Sequence, residues 1–456
     1  TMAKEKDEVG VRLSYKYRLY PTDEQIHFFN INFGCSRFVY NYFLRQREKA
    51  YNRTKKTIRS RVLDDEGKPT YGEDGKMIFG EIINPDYDPT AKSMTFNQTS
   101  KLLTMLKKEI VDEEGHRWLT DADSTALVYA LRNLDNAYQN FFRRVKKGIK
   151  PYGYPKKKKG GKTAQSYTTG NVKVGDNYVI LPKVGKVKAK IHRVPKGNVY
   201  AATIKRTASG QYFIAVKAKN VIIDPLPENE KEVAVSLGLK KWVTTSTGES
   251  IVRPNYHSDL YKKLAREKRK LARKKGNKKG EPKSNNFKKQ KIKIAKIEQK
   301  IAAKREYETH NLTKYLMNNY GVVFSREMAS SELYSDTKKD KKLPNKAKRA
   351  INQAIVDANF AEINRQLQYK AEWYGRECVV VPQNAPTTQV CSNCGYKNKI
   401  IIKDLKPEWT CPECGAVHDR KYNAAVNIMT AGRVMFEVEK HDNIEVKNLK
   451  APKPLN

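Results

Sequence analysis

Residues 11–20 read VRLSYKYRLY, an alternation of apolar and polar positions that predicts a half-buried strand. Thr22 and Gln25 just beyond it form the spacing of a capping box, which opens a helix. Ile26, Phe29, Phe33, Val39, Phe43 and Leu44 then recur at helical intervals, and Gly34 is expected to divide this run into two helices. Residues 56–96 are polar and rich in turn formers, which fits a loop or a small hairpin. Leu127, Leu131, Leu134, Tyr138 and Phe141 step by four and three, putting one apolar stripe on a second helix. The span 21–148 therefore reads as mainly helical.

Four short alternating stretches follow, NYVILPKV, KVKAKIHRV, VYAATIKRT and YFIAVKAKN. They predict antiparallel strands that continue a small barrel begun by the first strand. From Val233 the pattern changes. VAVSLGL and WVTTSTGE predict two strands joined by a turn. Tyr256 to about Asn319 is long, basic and helical, and is broken near GNKKGEPKSNN (276–286) into a hairpin with Leu264, Leu271, Ile292, Ile297 and Ile301 on its buried side. GVVFSREM predicts a strand, 345–376 one helix, and ECVVVPQ (377–383) another strand. Strands alternating with helices imply an α/β region with a mixed sheet. The tail after about 432 is polar and expected to be peripheral.

Charge adds the partner class. Lys and Arg number 90 against 49 Asp and Glu, a formal charge of +41 over 456 residues. An excess of this size is most simply balanced by a polyanion. No apolar run approaches the roughly 20 residues of a membrane span, and no secretory leader is expected. A cytoplasmic, nucleoid-associated protein with no membrane partner is the expectation. The densest positive run is 146–162, KKGIKPYGYPKKKKGGK, whose Pro and Gly forbid a regular element. Two readings stand: a flexible linker, or a loop lying along phosphates. On the second, Arg143, Arg144, Lys146, Lys147, Lys150, Lys156, Lys157, Lys158 and Lys159 meet phosphates, and Tyr152 and Tyr154 stack on bases.

Of the six cysteines, Cys35 and Cys378 are isolated. Cys391-Ser392-Asn393-Cys394 and Cys411-Pro412-Glu413-Cys414 are two knuckles separated by 16 residues. Two such knuckles close a tetrahedral four-thiolate zinc site, which has no open position and is structural.

Several of these pieces coincide in order: RLYPTDEQ, FGCSRFVYNYFL, YALRNLDNAYQNFFRRVKKG, VSLGLKK, INRQLQYKAEWYG and CGAVHDRKYNAAVNI. Together they resemble TnpB, the RNA-guided nucleases of bacterial transposons, and the related miniature type V CRISPR effectors, from about 12 to 430. The resemblance implies a multidomain α+β chain. Residues 1–20 and 149–228 would form a wedge domain, an oligonucleotide-binding-like β-barrel, with a helical recognition domain, 21–148, inserted. A RuvC-like α/β domain of the RNase H fold, 229–430, would follow, with a zinc ribbon, 386–418, inserted in it and a tail, 431–456, after it.

That family cuts with three acids holding two divalent metals. Its motifs, laid on this sequence, give Ser236 at the first acid, Arg326 at the second and Lys421 at the third. A one-residue slip would offer Glu327, and Asp419 lies near the third position. An acid has become a hydroxyl once and a cation twice, so no catalytic Mg²⁺ and no cleavage are expected. The pattern resembles the TnpB-like nuclease-dead repressors, TldR. It implies guide RNA and a double-stranded DNA target with an adjacent motif as partners, and transcriptional repression by occupancy. Rival readings are a nuclease-dead effector recruiting a transcription or transposition partner, an endonuclease using displaced acids, and a plain RNA-binding protein.

Overall fold

The computed structural model describes residues 10–448 except 63, 65, 67, 73–76, 161–164, 240, 254–257, 275–281, 340–343 and 399–406. The end of the basic run, most of the hairpin tip, Tyr256 and the last eight residues of the tail lie outside these. The chain divides into two compact units, Thr1–Ile222 and Ile223–Asn456.

The first unit joins a sheet to a helical layer. Its elements are β1 (Val11–Tyr20), α1 (Asp23–Arg53), β2 (Thr57–Arg61), β3 (Phe79–Ile83), α2 (Phe96–Glu109), α3 (Ser124–Lys146), β4 (Gln165–Thr169), β5 (Lys173–Val174), β6 (Tyr178–Leu181), β7 (Gly185–Lys190), β8 (Asn198–Arg206) and β9 (Tyr212–Val221). Seven strands form one antiparallel sheet in the order β4-β8-β9-β1-β7-β6-β5. The first strand of the chain thus sits at the centre, paired with β9 and β7, and its alternate Tyr15, Tyr17 and Leu19 are buried. β2 and β3 pair as the small hairpin within 56–96.

Thr22 closes the expected capping box on α1. Gly34 does not divide the helix: α1 runs unbroken for 31 residues. A glycine costs a helix about 1 kcal/mol, and here the packing of Val39, Tyr40, Phe43 and Leu44 against Leu127, Leu131 and Leu134 of α3 outweighs it. Asp123 caps α3 through the Thr125 amide and also accepts from Thr169 of β4, which ties the helix to the sheet.

The second unit contains β10 (Glu232–Leu237), β11 (Lys241–Thr245), β12 (Ser250–Val252), α4 (Ser258–Ala272), α5 (Asn285–Asn319), β13 (Val322–Arg326), α6 (Ser330–Lys339), α7 (Asn345–Ala358), α8 (Phe360–Tyr374), β14 (Glu377–Val381), β15 (Glu408–Thr410), β16 (Val417–Asp419) and α9 (Arg420–Asn448). Its main sheet has the order β12-β11-β10-β13-β14. The first three strands are an antiparallel meander, and β13 and β14 add in parallel on the far side of β10. Helices α5 and α8 pack one set of apolar residues, among them Val233, Val235, Leu316 and Leu367. Ala234, Phe324 and Val379 face α9 through Ile428. A methyl group at Gly432 would stand 2.4 Å from the Phe324 ring, so α9 lies tight against β13.

Two further expectations need correction. The helix over 345–376 is two helices, because Asn359 adopts φ 57°, ψ 34° between them. Its amide holds the Thr309 hydroxyl, and the Trp242 indole takes the Ala358 carbonyl, so both ends of the break are satisfied by tertiary partners. In the α4–α5 hairpin Ile294 takes the buried place expected of Ile292, which is exposed. Among the described residues no helix is long and apolar enough to cross a membrane.

Candidate functional site

The four paired cysteines meet. Their sulfur atoms all lie within 4.8 Å of one another, with Cys391–Cys414 and Cys394–Cys411 each at 3.7 Å. Four thiolates at about 2.3 Å from one tetrahedral ion stand about 3.8 Å apart, so the cluster fits zinc. The two knuckles repeat one backbone design. Gly395 N bonds Cys391 O and Gly415 N bonds Cys411 O, both at 2.9 Å, with the glycines at φ 79° and 71°. That region of φ is where a side chain is strained.

Sequence reading missed how the cluster is held. His418 Nε2 lies 3.0 Å from the Cys391 sulfur and its ring stacks on Trp409. Asn423, fully buried in α9, accepts from the Ser392 amide and donates to Val390 O. The first knuckle is therefore clipped to the helix that carries Lys421. The run HDRKYN held the signal, since it places His418, Lys421 and Asn423 within one turn of that helix's start.

A second constellation gathers where β10 and β13 end. Ser236 is buried on β10, opposite Thr244 of β11. Arg326 is the last residue of β13, paired with Val381. Asn364 of α8 fixes this strand end: it accepts from the Ser325 hydroxyl at 2.7 Å and donates to Arg326 O at 2.9 Å. Lys421 reaches back from the first turn of α9, and its Nζ donates to Leu237 O at 2.8 Å. A methyl group on Gly238 would stand 3.1 Å from Lys421 Cε, so the ammonium stem fills the space that glycine leaves.

Burial lowers the Lys421 ammonium to about 8, and the neighbouring Arg420 and Arg326 push it the same way. Burial also lowers the Arg326 guanidinium, which donates to Gln383 O. Asp419 is already engaged. Its carboxylate accepts the amides of Lys421 and Tyr422 and pairs with Lys241 at 3.1 Å. Although burial pushes its pKa up, the Tyr422 amide and Lys241 hold it below the usual value. Glu327 is exposed. A hard divalent ion needs several oxygen ligands. Two cations, with Asp419 engaged, Glu332 bonded to Gln383 and Glu327 exposed, do not provide them, so this centre does not fit the metals of a two-metal nuclease.

The basic loop is built onto the first unit. Asn41 of α1 exchanges two hydrogen bonds with the Lys158 backbone, at 2.8 and 2.9 Å. The Lys158 ammonium lies 4.1 Å from the centre of the Tyr40 ring. Arg144 donates to Pro151 O and Arg143 to Asn140. Tyr154 packs edge-on against Phe141 and Tyr138, with the two tyrosine hydroxyls 3.2 Å apart. Its ring anchors the loop to α3, whereas Tyr152 makes no such ring contact among the described residues. Lys146, Lys147, Lys150, Lys156, Lys157 and Lys159 are exposed.

Comparison with known proteins decides the family. A "Putative RNA-guided DNA endonuclease" of Streptomyces pristinaespiralis is 30% identical over 426 residues, which is 92% of this chain and 90% of that protein. This chain belongs to the TnpB family. The "Putative RNA-guided DNA endonuclease InsQ" of Escherichia coli (strain K12) is 30% identical over 326 residues, 70% of this chain and 77% of that one. Family descriptions match in three places: "Probable transposase" over 212–326, "Cas12f1-like, TNB domain" over 360–428 and "Helix-turn-helix domain" over 11–56. Residues 11–56 here are β1 and the single helix α1. Among solved structures, a Cas12f1–sgRNA–target DNA complex aligns with TM-score 0.42 and 15% identity over 92% of this chain and 98% of that one. TnpB relatives are thus named as endonucleases, and this member carries Ser236, Arg326 and Lys421 around the ends of its central strands.

Proposed function

We propose that this chain is an RNA-guided DNA-binding protein that holds its target without cutting it. It represses transcription by occupying a site beside a short adjacent motif. The observation that carries this is the Lys421 ammonium, bonded to Leu237 O beside Arg326. We read Ser236, Arg326 and Lys421 as the positions where the family carries its metal-binding acids. A lysine and an arginine there repel a divalent ion and leave no carboxylate to activate water. In the same reading 1–20 and 149–228 are the wedge domain, 21–148 the recognition domain, 229–430 the RuvC-like domain and 386–418 its zinc ribbon. Base pairing with the guide reads the target, while the protein holds phosphates through its positive surfaces. The four cysteines hold structural zinc.

The protein purified with its RNA, mixed with a matching duplex and Mg²⁺, should bind and leave both strands intact. A reporter whose promoter contains the target should be silenced in cells. Specific cutting that disappears in Glu327→Ala would overturn the non-cleaving reading. Co-purified RNA without a dominant species would overturn the guided one.

A further inference from the structure

The two cations of the centre share no carboxylate. Among the described residues, Lys421 Nζ bonds only Leu237 O, and Arg326 uses Nη2 on Gln383 O while its buried Nε has no partner. The nearby acids are committed or turned away. Asp419 holds two amides and Lys241, Glu332 accepts from Gln383, and Glu327 is exposed. Cations brought together out of water are costly unless an anion compensates them. Arg326 and Lys421 are half-buried and not sealed, so an anion can reach them. Arg420 adds charge beside Lys421. The exposed ring of Tyr422, next in the chain, can stack on a base. Three carboxylates loaded with two divalent ions form a slightly positive centre that attracts a phosphodiester. Serine, arginine and lysine reproduce that sign with no metal.

We propose that Arg326 and Lys421 form a metal-free clamp for a backbone phosphate of single-stranded DNA, the strand displaced when the guide pairs with its target. The identity of the strand rests on the function proposed above; the clamp itself does not need a guide. Arginine suits the role, because its planar fork matches phosphate oxygens.

The full chain is titrated against a labelled single-stranded DNA oligonucleotide in EDTA, without guide and at raised salt. Lys421→Met and Arg326→Gln should each weaken binding, roughly tenfold for loss of one charge-assisted contact. Each should lower the slope of log affinity against log salt by about 0.7. Lys421→Arg should restore both, and melting curves confirm that every variant is folded. Guide-loaded complexes extend the test: the same variants should weaken binding to a duplex target and leave an isolated target strand unaffected. The proposal is overturned by equal affinity and slope in folded wild type and variants, by a requirement for Mg²⁺, or by an equal loss on an RNA oligonucleotide. Should guide-loaded complexes ignore their target while the guide-free titration behaves as expected, the RNA-guided reading fails and the clamp stands.

Discussion

Lysine burial is the strongest residue-scale feature of the second unit. Lys370 is buried in α8, donates to His310 O and Thr313, and is lowered by burial from 10.5 to about 8. Below about pH 8 it is protonated in both folded and unfolded chains, and the fold bears the full penalty. Between about 8 and 10.5 the unfolded chain keeps a proton that the folded one has released, so stability rises with pH. Denaturant titrations at pH 7 and 10 should show this rise, and Lys370→Met should reduce it by about 3 kcal/mol at most. Lys421 has the same sign, so single-stranded DNA binding through it should weaken as pH passes about 8. The cysteines give an independent test. Cys391→Ala or Cys411→Ala should abolish bound zinc, measured by atomic absorption, and expose the start of α9 to protease, since Asn423 clips that helix to the first knuckle. Full zinc content in both variants would refute the four-cysteine assignment.

Elements respond to cap and stripe in proportion to burial. Thr22→Ala removes the reciprocal cap of α1 and should cost about 1 kcal/mol by urea denaturation. Leu131→Ala empties the centre of the α1–α3 packing and should cost 2–5 kcal/mol, as is typical of fully buried leucines. The same contrast explains which elements were legible. The cap, the α3 stripe and the alternating strands were readable because their signals are local periods. Gly34 misled, and the break at Asn359 went unread, because a glycine cost and a left-handed residue act only through what packs around them. The hairpin's buried face slipped from Ile292 to Ile294 because two isoleucines two apart on a helix point to different sides, and only the partner helix selects one.

For the molecule as a whole, +41 charges predict binding dominated by phosphate neutralisation. Replacing Lys156, Lys157 and Lys159 by alanine should weaken nucleic-acid binding across sequences and flatten its salt dependence, measured by anisotropy over a salt series. An unchanged slope would remove the loop from the interface. The sequence by itself determined the charge of +41, the paired cysteine knuckles and the presence of Ser236, Arg326 and Lys421 in their motifs, because composition and spacing are properties of the chain. Tertiary structure alone decided that Lys421 folds back from α9 onto Leu237 O, that Tyr154 packs edge-on against Phe141 of α3, and that Asn423 couples the cysteine cluster to the same helix. Lys421 and Leu237 are 184 residues apart, and no local pattern can announce a contact that depends on two distant segments packing against one core.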